Sequence, residues 1–296
     1  MQGIAEAMRS LLAPLRETHV VDVYLSPLLW LPLVAALLLE YVRPARAGQK
    51  LLSNGLFQDG VWVAVSAVFR LAVMGFYVAL LRAVYDRHLD FLTIEAVTAW
   101  PTWARVLLAI LFADFLGWFH HVVRHKVPAL WAFHTVHHSQ REMNVLTDVR
   151  VHPVDRLASQ TVQFVPLFMV DTAFPVIVTW TLFHQAWTKL CHANVRLSCA
   201  PLRWLLVTPQ SHRIHHSVEP EHRDRNFGVV FSLWDHLFRT QHADATTYPE
   251  CGIGDPTFPM EQGRTPAALL RSTWAQLVWP FRQLVRGRAP EPVPSR

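Results

Sequence analysis

The sequence predicts an all-α protein, an integral membrane helical bundle whose cytoplasmic side carries a histidine-rich region. Hydrophobic residues make up 52% of the 296 positions and charged residues only 17%, which lies outside the ordinary soluble balance. Long apolar runs recur along the first half of the chain. Eight histidines fall into three groups, His121-x-x-x-His125, His134-x-x-His137-His138 and His212-x-x-His215-His216, and a helix brings each of these spacings onto one face.

The first span is expected at about residues 24–42, uncharged until Glu40 and close to the ~20 residues that a bilayer crossing needs. A second is expected over 61–85 with Arg70 near its middle, and a third over 103–119 with Asp114 near its end. Charges at such depth face the protein interior or mark function. Arg43, Arg46 and Lys50 follow the first span and place that loop in the cytoplasm. The third span then delivers His121 and His125 to the cytoplasmic side, and the acidic loop with Asp86, Asp90 and Glu95 lies outside.

A further apolar stretch, 158–187, separates the second histidine group from the third. If all the histidines serve one site, this stretch must enter and leave on the same side. Asp171-Thr-Ala-Phe-Pro175 at its centre forms a turn signal, so the stretch reads as a helical hairpin with arms of about 13 to 15 residues, roughly 20 Å each. Three parts result: an N-terminal transmembrane region (1–119), a histidine-rich catalytic region (120–260) and a C-terminal segment (261–296). The last part holds an amphipathic helix over 266–285, to be laid on the membrane surface or on the histidine region, and a proline-rich tail from Ala289. The first 20 residues show no cleavable secretory signal, which leaves the first span as the insertion signal.

Clustered imidazoles are costly to bury unpaired, and neutral imidazole is a common metal ligand. Eight or more around one locus exceed what a single zinc ion takes and suggest two metals. The three cysteines, Cys191, Cys199 and Cys251, form no C-x-x-C, so neither a disulfide framework nor a thiolate zinc site is expected. A nitrogen-rich pair of iron ions is the natural candidate, with open positions for dioxygen. Asp114 shares a helical face with Trp118, His121 and His125; it is expected to fix an imidazole tautomer or to accept an N–H elsewhere. Thr208-Pro209-Gln210-Ser211 reads as a capped helix start. His152 and His192 are secondary ligand candidates beside the main groups.

These residues resemble the fatty acid hydroxylase and sterol desaturase superfamily of integral-membrane di-iron oxygenases. The resemblance runs from Asp114 to Thr240: through His121 and His125, Phe133-His134-x-x-His137-His138-Ser139, Arg150-x-His152-Pro153 and His192-x-Asn194. It continues with Pro209-Gln-Ser-His212-x-x-His215-His216-Ser217, Asn226-Phe-Gly228 and Trp234-Asp235-x-x-Phe238. It implies a cytoplasmic helical cap that holds two Fe ions over the membrane bundle. The implied metal ligands are His121, His125, His134, His137, His138, His212, His215 and His216, with His152 and His192 as secondary members. Asp114, Asn194 and Asp235 are the expected catalytic residues beside the metals, with Asp235 as an acceptor for a ligand imidazole. Relatives commonly carry an arginine directly after the first ligand, where this chain has Val122. The Arg-x-His-Pro element and the modest length resemble bacterial members near alkylglycerol monooxygenase and ornithine lipid hydroxylase, hence a bacterial inner membrane.

The implied activity is hydroxylation or desaturation of a lipid C–H bond with O2. The lipid, whether fatty acyl, sterol, ether or ornithine lipid, arrives from the bilayer. No flavin, haem or ferredoxin segment is recognisable, so electrons are expected from an external ferredoxin or cytochrome with its NAD(P)H reductase. The net charge of +5 fits an anionic leaflet better than nucleic acid. The competing class is a zinc-dependent membrane hydrolase, which would place a carboxylate base beside the metal; no H-E-x-x-H motif supports it.

Overall fold

A computed structural model describes residues 27–170, 172, 174–199 and 201–287. Ten helices organise them. They are α1 (Pro27–Val42), α2 (Asn54–Phe69), α3 (Gly75–Val84), α4 (Thr102–Lys126), α5 (Pro128–His138), α6 (Pro153–Met169), α7 (Phe174–His192), α8 (Pro209–His215), α9 (Leu233–Leu237) and α10 (Pro266–Val285). Short 3-10 and π turns link some of them, and among the described residues strand pairing is confined to three isolated bridges. The expected all-α class therefore holds.

The expected second span lies within a continuous helical path. The Ser53 hydroxyl caps α2 by accepting from Leu56 N, a π turn at Arg70–Met74 joins α2 to α3, and a second π turn covers Tyr85–Leu89. Such insertions rotate the side chains that follow and recur at functional sites. Of the described helices, α4 with 25 residues is long and apolar enough to cross a membrane. The described part of α1 begins at Pro27, so the first residues of the expected span fall outside it.

The charges within the apolar runs turn inward. Glu40 is buried and accepts from Val145 N and Asn194 N; Asp114 is buried; Arg70 faces a cavity. The expected hairpin appears as α6 and α7, but its arms are longer than predicted, at 17 and 19 residues. The apolar count began at Ala158, whereas α6 starts at Pro153 with His152 as its cap. The central turn residues Asp171 and Ala173, and the tail from residue 288, lie outside the described residues.

α6 packs along α4, while α7 packs against α1 and α8. The hairpin arms thus belong to different neighbours, and the cavity opens between them. An apolar core of Ala109, Ala113, Leu167, Phe168, Ile177, Trp180 and Val230 closes one end of the bundle.

Helix α10 matches the expected 266–285 and is capped by Thr265. It packs against α5 and α2, and the face it buries is largely polar. Gln58 donates to Thr273 Oγ1 at 2.5 Å and Trp62 Nε1 donates to Gln276 Oε1 at 2.9 Å. Leu270, Trp274, Phe281, Leu284 and Val285 point outward and stay exposed.

Candidate metal centre

Local chain geometry aims the imidazoles. Pro128 disfavours a helical conformation in the residue before it, and Val127 is extended, ending α4 and starting α5. That one-residue link folds α5 back so that His134 and His138 face His121 and His125. In α8 the Thr208 and Ser211 side chains form a reciprocal capping box, a motif that fixes where a helix begins and hence where His212, His215 and His216 point.

Nine buried histidines gather in two adjoining groups. His121, His125, His134, His138 and His215 form one, and His137, His192, His212 and His216 the other; within each, the candidate ligand atoms all lie within 4.8 Å of one another. Several Nε2 atoms face each other directly: His121 and His134 at 3.1 Å, His137 and His192 at 3.1 Å, His192 and His212 at 3.0 Å, and His212 and His216 at 3.2 Å. Nitrogens at ~2.1 Å from a shared ion and at right angles would stand about 3.0 Å apart.

On several of these rings the opposite nitrogen is occupied, whereas Nδ1 of His212 and of His216 is buried without a partner among the described residues. Nδ1–H donates to Phe227 O from His121 (2.8 Å), to Arg150 O from His137 (3.2 Å), to Thr188 O from His192 (2.7 Å) and to Arg225 O from His215 (2.9 Å). This fixes the tautomer that leaves the Nε2 lone pair facing inward. Nε2 of His125, His138 and His215 is buried without a hydrogen-bond partner, a costly state for a polar atom that a metal ion would relieve. The donor set thus fits two nitrogen-bound transition-metal ions.

Among the described residues, His134 is the clustered histidine with a carboxylate partner. Its Nδ1–H donates to Asp155 Oδ2 at 2.9 Å, and Arg124 donates to Asp155 Oδ1 at 3.0 Å. Burial alone would raise the Asp155 carboxyl, but Arg124 and His134 override it and hold it well below the usual carboxylate range. Sequence reasoning missed Asp155 and Arg124. Asp155→Asn, which keeps the shape and removes the charge, should lower metal affinity about 10- to 100-fold; titration of metal-depleted protein measures it, and unchanged affinity would refute this role.

The other expected residues support the centre from further out. Asp114 touches no imidazole; it accepts from Val230 N, Phe231 N and Trp234 Nε1, the alternative that its sequence left open. Asp235 accepts from Trp118 Nε1, Phe227 N, Gly228 N and Thr240 Oγ1 rather than from an imidazole. It thereby shapes the turn whose Phe227 carbonyl orients His121. Gly228 is required there, since a Cβ would lie 2.7 Å from Phe231 O and 2.9 Å from Asp235 Oδ2. Asn194 accepts from Arg46 N and Arg213 NH1, so it ties the loop after α1 to α8.

His152 departs from its expected place among the ligands. Its Nδ1 accepts from Val154 N, and its Nε2 bonds Leu277 O at 3.0 Å. Both ring nitrogens are used in capping α6 and docking α10.

Burial first, then the charges around them, hold His137, His138, His212 and His216 well below the ordinary imidazole value; they place His134 at about 4 and His215 at about 3. Below about pH 6.5 the unfolded chain binds protons at these rings that the folded chain refuses. Stability from this source is therefore complete above about pH 6.5 and declines as the pH falls toward 4. Thermal unfolding of chelator-treated protein at about pH 7.5 and about pH 5 should show a lower midpoint in acid, and equal midpoints would contradict the assignment.

Residues 106–240 match the family described as fatty acid hydroxylase. The chain is 31% identical over 143 residues to an ornithine lipid hydroxylase of Rhizobium tropici, covering 48% of this chain and 43% of that protein. It is 32% identical over 155 residues to an alkylglycerol monooxygenase of Danio rerio (52% and 33%). It is 31% identical over 145 residues to that of Homo sapiens (48% and 31%). Over residues 106–240, somewhat under half of its length, the chain is thus similar to the fatty acid hydroxylase family. The chain spans less than half the length of each of these three relatives. All nine clustered histidines fall inside the matched segment, as do Asp114, Asp155 and Asp235. No solved structure matches the chain significantly.

Proposed function

We propose that this protein is a membrane-bound di-iron oxygenase that hydroxylates a C–H bond of a lipid. The observation that carries the reading is that the histidine centre opens directly onto a large cavity. Its volume is about 820 Å³, and its walls include His121, His134, His137, His192 and His212. That volume is at the upper end of ordinary ligand sites. Val78, Phe164, Phe168, Ile177, Leu182 and Val229 give it an apolar stretch suited to an alkyl chain.

Bound iron would supply dioxygen activation. The balance needs one O2, two electrons and two protons for each alcohol and water formed. The chain's own contribution is to hold nine neutral imidazoles, to orient five of them through Phe227, Arg150, Thr188, Arg225 and Asp155, and to seat an alkyl segment against them in a water-poor space. The electrons are assigned to an external ferredoxin or cytochrome with its reductase. The ornithine lipid hydroxylase and alkylglycerol monooxygenase relatives support a polar lipid as substrate.

Membrane embedding with the centre on the cytoplasmic side rests on the outward apolar faces. Leu31, Leu38, Val68, Phe76 and Trp103 are exposed on α1 to α4, and α10 turns its own apolar stripe outward. Exposed apolar surface on this scale marks contact with lipid or a partner, and together with Arg43, Arg46 and Lys50 it favours a multi-pass inner-membrane protein.

The zinc hydrolase reading lacks its base: Asp148, the carboxylate among the described cavity-lining residues, is paired with Lys189 at 2.8 Å. The test is elemental mass spectrometry of the purified protein, with oxygen uptake in the presence of a reductase system and membrane lipid. About two irons per chain with lipid-dependent uptake supports the reading. Zinc with no uptake after iron reconstitution overturns it. Gly117 on α4 lines the cavity, and a Cβ there would meet only Val229 Cγ2, at 4.0 Å. Gly117→Leu should therefore fill the cavity and cut turnover while metal content stays unchanged; full activity would place the substrate elsewhere.

A further inference from the structure

Four arginines line the cavity: Arg70, Arg82, Arg124 and Arg156. Two of them are neutralised. Arg82 pairs with Asp86 at 2.9 Å and Arg124 with Asp155 at 3.0 Å. The cavity's carboxylate, Asp148, is taken by Lys189. Arg70 has only the neutral Gln185, with NH1 donating to Oε1 at 2.8 Å. The Arg156 side chain has no hydrogen-bond or ion-pair partner among the described residues, its bond to His152 O being made by the backbone N–H. Among the charges that act on Arg156, the like charge of Arg70 is the strongest, ahead of Asp148, Asp155 and Arg124. The cavity therefore keeps two guanidinium charges that repel each other and have no hydrogen-bonded counter-ion among the described residues.

Arg70 and Arg156 are half-buried, and holding like charges together in a partly desolvated space is unfavourable unless something compensates. The surroundings are built for a polar guest: Gln160, Gln163, Thr181, His184 and Gln185 line the same space. The π turn that begins at Arg70 sets where that side chain leaves its helix. Guanidinium groups bind carboxylate and phosphate with paired donors at fixed geometry.

We infer that Arg70 and Arg156 form an anion seat in the cavity, which takes the phosphate or carboxylate of the lipid headgroup while the alkyl chain occupies the apolar part of the same space. As a statement about substrate class it rests on the oxygenase reading; as a binding site it does not. It selects anionic over neutral amphiphiles, and it holds the lipid by its charged end.

The full chain in phosphatidylcholine nanodiscs is titrated by calorimetry with dodecyl phosphate, dodecanoate and dodecanol, using empty nanodiscs as the reference. Wild-type protein should bind at least one of the two anions about tenfold or more tightly than the alcohol. Arg70→Gln and Arg156→Gln should each reduce that preference, and the double variant should abolish it. Lysine at either position should retain part of it. Bound metal and the thermal midpoint, measured on each variant, separate loss of the seat from loss of the fold. Binding of dodecyl phosphate alone identifies a phosphate seat, and binding of both anions a general one. Equal affinity of wild-type protein for the alcohol and both anions overturns the inference, and so does an undiminished preference in the well-folded double variant. An intact preference in a protein that shows no iron-dependent oxygen uptake would sink the oxygenase reading and leave the seat standing.

Discussion

His137→Ala and His215→Ala should each reduce lipid-dependent oxygen uptake to background, while the two variants differ in the metal they retain. His137 belongs to the group of four and His215 to the group of five. Removing His137 leaves three imidazoles for one ion, so His137→Ala should lose most of one metal equivalent. Removing His215 leaves four, so His215→Ala should bind nearly normal metal in an altered geometry. Both losses of turnover should exceed the roughly 10- to 100-fold that follows from removing a hydrogen-bond partner of a ligand. Elemental analysis and oxygen uptake on the same preparations decide. Wild-type turnover in either variant would remove that histidine from the centre.

The largest expected effect on stability comes from Asp59→Ala. Asp59 and Arg150 are fully buried, with Arg150 Nε donating to Asp59 Oδ1 at 2.7 Å. Arg150 also reaches Glu261, and Asp59 further accepts from Gln140, Asn144 and Thr147. Truncation leaves a buried guanidinium with one acid, strands the Gln140 and Thr147 donors, and leaves Asn144 with Glu142 O alone. Breaking such a pair costs about 3–5 kcal/mol. The Arg150 carbonyl also holds His137, so metal content should fall as well. Replacing both partners by apolar residues, Asp59→Leu with Arg150→Met, should recover part of the stability, since no unpaired charge remains. A thermal shift in Asp59→Ala equivalent to less than about 1 kcal/mol would show the network to be incidental.

What could be read from the sequence was what is local along the chain. The i, i+3 and i+4 spacings identified His121, His125, His134, His137, His138, His212, His215 and His216 as groups, and the structure brings all eight together. The Thr208 cap and the 266–285 helix were likewise legible, because both are written within a few neighbouring residues. His192 was harder: it joins its group across 55 residues from His137 and 20 from His212, which no helical period encodes. Asp155 went unread for the same reason. It stands three positions after His152, in the first turn of α6, but its role depends on His134 and Arg124, which are 21 and 31 residues away. Proximity in sequence misled at His152, where a histidine before a proline serves as a helix cap. Asp114 showed its inward face but not its partners, which lie 116 to 120 residues on.

The Asp59–Arg150–Glu261 network changes what the boundaries of the matched segment mean. Residues 106–240 contain every clustered histidine, yet the arginine whose carbonyl steadies His137 is held by one acid before that segment and one after it. His152, inside the segment, bonds the carbonyl of Leu277, outside it. The region that evolution repeats is therefore narrower than the region that holds its shape. Grafted onto another scaffold without the flanks, it would bring along the ligands and leave behind two of the anchors that keep them in register.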